Sequence, residues 1–82
     1  MSRREIITRA DIERAHRERG LPFVCNPERL AGLLMVSKKT IYVWRAAGRL
    51  EGTYRKRGKY LLFNTDKVLD LIFNGPKWEP TL

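Results

Sequence analysis

Little in this chain could do covalent chemistry. It holds one cysteine, Cys25, and one histidine, His16, among 82 residues. A single cysteine excludes an internal disulfide and leaves no thiolate set for zinc. Cys25 is therefore expected to be a small, partly buried hydrophobe in a reducing compartment. His16 has no companion ligand or catalytic partner nearby and is expected at the surface. There is no Ser/His/Asp or Cys/His set, no metal-ligand spacing and no phosphate-cradling glycine loop. The expectation is a protein that is not an enzyme and uses no metal or cofactor. Long apolar runs are missing too: none approaches the ~20 residues that span a bilayer. The opening stretch, MSRREIITR, carries charge without the apolar core of a signal peptide. No membrane partner and a cytoplasmic location are expected.

Acid is scarce where base is concentrated. The formal net charge is +8, from 17 basic and nine acidic residues. Residues 36–60 hold eight basic residues and one acid, whereas residues 1–35 hold seven and five and residues 61–82 two and three. A basic excess confined to 25 consecutive residues is the electrostatic footprint of a polyanion partner. The composition, 43% hydrophobic and 32% charged, is that of one small folded domain with a compact core.

Punctuation divides the chain. Thr8, with Asp11 three residues on, opens a short and largely solvated helix that Gly20 closes. Its alternating charges, from Arg9 to Glu18, read as a solvated face. Asn26-Pro27-Glu28 is a strong helix start, an N-cap followed by proline and an acid. Leu30, Ala31 and Leu34 share one face of the helix that follows. After Met35-Val36, Ser37 caps a second helix, residues 38–47, which Gly48 ends. Two short helices about three residues apart make a helix-turn-helix pattern. Thr53–Lys56 and Lys59–Phe63 read as strands joined at Arg57-Gly58, with Tyr54, Leu61 and Phe63 on the core side. Asn64 or Thr65 caps a last helix, Asp66 to Phe73, with Val68, Leu69 and Ile72 at helical spacing. Gly75-Pro76 ends it, leaving the tail KWEPTL unassigned.

The fold class expected is mainly α with a small β-hairpin: a winged helix-turn-helix. In helix 38–47, Ile41 and Trp44 are expected to point inward, leaving Lys38, Lys39, Tyr42 and Arg45 on the opposite face. Ser37 and Lys38 suit phosphate at the helix start, where the dipole and the cations add. Lys39, Tyr42 and Arg45 are candidates for base edges, Arg45 through guanine O6 and N7. Thr40 suits a thymine methyl or a phosphate. Tyr42 stays open between partial packing and a groove contact. Arg55, Lys56, Arg57 and Lys59, on the hairpin, would lie along neighbouring phosphates or in the adjacent minor groove.

At these residues the chain resembles a known family. "NPERLAGLLMVSKKTIYVWRAAGRL" followed by "RGKYLLFNTDKVLDLI" is similar to the excisionase-type DNA-binding domains of the MerR-like winged-helix superfamily. Ala31, Leu34, Val36, Ser37, Thr40, Ile41, Trp44, Gly48, Leu50, Gly58, Phe63, Asp66 and Val68 fill that pattern, over residues 24 to 73. The resemblance implies sequence-specific binding of double-stranded DNA, with the second helix in the major groove and the hairpin on the backbone. It implies transcription control, or excision of phage or mobile elements, and a nucleoid-associated location. Two positions depart from the pattern. Met35 stands where glycine often makes the turn, and Leu62 where an arginine often stands near DNA.

The expected domain division is an N-terminal extension with a short helix (1–23), the winged helix-turn-helix (24–75) and a tail (76–82). A helix this short reads few base pairs, so a homodimer or a cooperative array on DNA is expected. The alternative is a protein-interaction module that presents the same basic face to an acidic partner. RNA binding ranks third, because the hairpin offers no aromatic platform for single strands.

Overall fold

A computed structural model describes residues 6–75. These residues form four helices and one small antiparallel sheet: α1 (Arg9–Arg19), β1 (Val24–Cys25), α2 (Pro27–Leu34), α3 (Lys38–Ala46), β2 (Tyr54–Arg57), β3 (Tyr60–Asn64) and α4 (Thr65–Asn74). The tail from residue 76, Trp78 included, lies outside the described residues. No helix among the described residues is long and apolar enough to cross a membrane.

Each helix begins on a side-chain cap. Thr8 Oγ1 accepts from the Asp11 N–H, and the Asp11 carboxylate accepts from the Thr8 N–H, so the capping box is complete. Asn26 Oδ1 accepts from Arg29 N–H at 2.7 Å, with Pro27 in the first turn. Ser37 Oγ accepts from Thr40 N–H, and Asn64 Oδ1 from Lys67 N–H. Asn64, rather than Thr65, is therefore the cap of α4.

The sheet exceeds the expected hairpin by one strand. Its order is β1-β3-β2, all antiparallel, with Val24 opposite Asn64 and Cys25 opposite Phe63. β1 is only two residues long, too short to show a period of two in sequence. The hairpin turn is Gly58-Lys59, one residue later than Arg57-Gly58, because Arg57 still pairs with Tyr60. Gly58 has φ 62°, at the first loop position, where a type II′ connection needs glycine. The pairing of Tyr54 with Phe63 and of Lys56 with Leu61 keeps Tyr54, Leu61 and Phe63 on one side, as expected.

The core joins Cys25, Leu30, Ala31, Ile41, Leu50, Leu61, Phe63 and Val68, and Leu34, Val36, Trp44 and Ile72 pack against it. Leu30, Ile41, Leu50, Phe63 and Val68 have no exposed surface; full burial of such a side chain contributes about 1.5–3 kcal/mol. The Cys25 thiol is buried and lies 3.4 Å from the Thr65 hydroxyl. Desolvation raises its pKa, so it stays a thiol at neutral pH.

The N-terminal segment is fastened to α4 at both of that helix's ends. Asn74, buried, accepts from the N–H groups of Ile6 and Ile7 and donates to Ile7 O and the Asp70 carboxylate. At the other end, His16 is less exposed than a surface reading implies. Its Nδ1 lies 2.6 Å from Leu21 O and its Nε2 2.7 Å from Asp66 Oδ1. Both partners are acceptors, so only the imidazolium satisfies both. Hydrogen bonding to the Leu21 carbonyl, then to Asp66, raises the His16 pKa above its ordinary value.

Two helix endings have the same build. After α3, Gly48 N–H bonds Arg45 O and Arg49 N–H bonds Trp44 O, with Gly48 at φ 78°. This is a Schellman closure. After α2, Met35 N–H bonds Gly32 O and Val36 N–H bonds Ala31 O, with Met35 at φ 59° and 90% exposed. Met35 is the sole non-glycine residue with positive φ among the described residues. The left-handed conformation costs an L-residue about 1–2 kcal/mol, and no packing offsets it here.

Two predictions follow from these contacts. Met35→Gly should raise stability by about 0.5–1 kcal/mol, the relief of strain less the extra freedom of unfolded glycine, read as a higher urea midpoint at constant slope. The His16 contribution is whole below about pH 6.5, the unfolded value, and is lost as pH rises through the higher folded value. The midpoint should therefore fall as pH rises above about 6.5 in the parent chain and much less in His16→Gln.

Candidate nucleic-acid interface

The cations of residues 36–60, apart from Arg49 in the connection after α3, come to lie on α3 and the β2–β3 hairpin. In α3, Ile41 is fully buried and Trp44 half-buried against the core, so the helix is anchored by the two residues expected to anchor it. Lys38 and Lys39 are exposed, and Tyr42 is 40% exposed. Ser37 and Thr40 are more occupied than a phosphate role alone would require. Their hydroxyls lie 2.9 Å apart, and Ser37 Oγ also caps the helix.

Arg45 departs from expectation. It follows Ile41 by four residues, and residues so spaced share a helix face. Its guanidinium lies over the Tyr54 ring, 6.0 Å from the centroid, and its Nε is buried with no acceptor among the described residues. Arg45 therefore ties α3 to β2 instead of standing on the outer flank with Lys39. Val43, four residues after Lys39, takes the outer place and is 54% exposed. The same helical spacing that sets Arg45 on the face of Ile41 sets Val43 on the face of Lys39.

The hairpin cations divide between the two sides of the sheet. Lys56 follows Tyr54 by two residues and shares its side, the side on which Arg45 and α3 lie. Arg55 and Arg57 stand on the other side, opposite Leu62 and Tyr60. Lys59 is in the turn, with Nζ 5.7 Å from the Tyr60 ring centroid. Tyr60 is 63% exposed, so the hairpin shows one aromatic ring to solvent, where none is expected.

None of Lys38, Lys39, Arg55, Lys56, Arg57 and Lys59 has a carboxylate partner among the described residues. The salt bridges lie elsewhere: Arg9–Glu13 and Arg14–Asp11 within α1, and His16–Asp66. In a folded chain with seven carboxylates between residues 6 and 75, this separation leaves α3 and the hairpin with an excess of positive charge. The bonded contacts of His16 in α1 go to Asp66 of α4 and to Leu21.

No protein-family model matches the chain, and no curated protein matches it in sequence.

The contact between Arg45 and Tyr54 joins α3 to the hairpin. A double-mutant cycle with Arg45→Ala and Tyr54→Leu should give a coupling of about 0.5–1 kcal/mol in urea unfolding, and additivity would show that the two elements are held by the core alone.

Proposed function

We propose that this chain is a sequence-specific double-stranded DNA-binding protein of winged helix-turn-helix build, serving as a small transcriptional regulator or excision factor. The observation that carries the reading is the set of exposed cations without carboxylate partners among the described residues, Lys38 and Lys39 on α3 and Lys56 and Lys59 on the adjacent hairpin, on a helix whose other side is fixed in the core. α2 and α3 are then the helix-turn-helix pair, α3 the recognition helix and β2–β3 the wing. At nine residues and 1.5 Å per residue, α3 is about 14 Å long, a fit to a major groove ~12 Å wide.

Roles follow from placement. Lys39, Tyr42 and Val43 form the flank for base edges, with the Val43 methyl groups suited to the thymine C5 methyl. Lys38, at the helix start, and Lys56, Arg57 and Lys59, on the wing, meet phosphates and set register without reading sequence. Arg45, held on Tyr54, offers its outward N–H groups to a phosphate between helix and wing. A single α3 reads few base pairs, so function calls for two or more copies on DNA. Nothing in this reading requires catalysis, a metal or a cofactor.

Duplexes selected from a random pool should bind with a log–log salt slope near −5, from about six neutralised phosphates at −0.9 each. Lys39→Ala should narrow the gap between selected and random duplexes, whereas Arg57→Ala should weaken both alike. Equal affinity for selected and random duplexes at physiological salt would overturn the proposal.

A further inference from the structure

Strand alternation builds a second surface on the side of the sheet away from α3. Leu61 and Phe63 of β3 enter the core, so Tyr60, Leu62 and Asn64 face outward. Val24 is paired with Asn64 and Arg55 with Leu62, which brings Val24, Arg55 and Arg57 to the same outer side. An open groove of about 630 Å³ runs here, with Val24 and Leu62 as its exposed aliphatic residues and Arg55, Arg57 and Lys67 among its walls. Val24 is 47% and Leu62 37% exposed.

A solvated face of an antiparallel sheet ordinarily carries polar residues at these positions. Here two aliphatic side chains remain open to water, a pattern that marks interaction sites when polar residues rim it. No carboxylate lines the groove, and Arg55, Arg57 and Lys67 have no carboxylate partner among the described residues. The groove thus combines an apolar floor with an unneutralised positive rim.

We infer that the outer face of the sheet docks an acidic segment of a partner protein, one apolar anchor resting on Val24 and Leu62 and flanking carboxylates meeting Arg55, Arg57 and Lys67. Charge complementarity selects this occupant. A nucleic acid backbone brings the right charge but no aliphatic group for the floor, and the Tyr60 ring is approached by the Lys59 ammonium. A second copy of the chain brings a further +8 of like charge. The site is independent of duplex binding through α3. Arg57 is also assigned to phosphate on the wing, so the decisive variants are placed at Leu62 and Lys67.

The test uses a fluorescent synthetic peptide of glutamates around a central Leu-Phe pair, with the full-length chain. Anisotropy should rise saturably, and amide shifts should centre on Val24 and Leu62. Leu62→Glu and, separately, Lys67→Glu should each weaken the peptide by about tenfold or more, and Lys67→Glu should keep the preference for selected over random duplexes. Lys67→Glu changes an exposed residue in the first turn of α4, where an acid is tolerated, so it reads binding even if Leu62→Glu impairs folding. Equal binding of a peptide with Ser-Ser in place of Leu-Phe would overturn the proposal, as would shifts centred on α3. So would tighter binding of single-stranded oligothymidine at Leu62, or a Leu62-dependent change in the sedimentation of the free chain. Loss of duplex binding with peptide binding intact would remove the DNA reading and leave this one standing.

Discussion

The exterior of this molecule is set by the burial of Ile41, Leu50 and Phe63 in one core. Ile41 fixes the rotation of α3, Leu50 fixes where the chain goes after the helix, and Phe63 fixes the register of β3. Each has no exposed surface, and a rotation of α3 or a one-residue slip of β3 would bring one of them into water. A slip of β3 would also exchange the two sides of the sheet completely, since strand side chains alternate. Lys39, Tyr42 and Val43 are presented outward as a consequence of what lies behind them.

The same constraint makes the basic region a surface feature. Cations cannot share the interior with these apolar residues without partners, and three of the carboxylates are paired elsewhere. Asp11 and Glu13 pair within α1, and Asp66 pairs with His16. Positive charge is left on one region and neutralised on another by a division of partners along the chain. Arg45 is the exception, placed where a ring can receive a guanidinium that has no carboxylate.

What could be read from the residue order was what local chemistry encodes. The caps at Thr8, Asn26 and Ser37 and the reversal at Gly48 each act within a few residues. They were legible for that reason. So were the inward pairs Leu30–Ala31 and Leu61–Phe63, because periodicity reports a buried face directly. β1 was missed since two residues carry no period and its pairing depends on β3, far along the chain. The clasp of Asn74 on Ile6 and Ile7 and the bond of His16 to Asp66 join residues 50 to 68 positions apart, a relation no local pattern displays. Arg45 is a different case. Its spacing from Ile41 was present in the sequence, but its charge suggested an outward place that the ring of Tyr54 made unnecessary. The position of the cations as a group was legible, and their division between the two sides of the sheet was not.

The clasp on Asn74 also bears on how the chain is assembled. Helices that carry their own start and stop signals, and a hairpin closed by two residues, need little loop entropy to form. The segment from Ile6 to Arg19 is different, because its anchors exist only once α4 has been made. Such a segment is expected to dock last and to detach first, as a local opening that leaves the central core closed. Amide hydrogens of α1 should then exchange on a faster clock than those of β3, and the chain behaves as a stable centre wearing a removable strap.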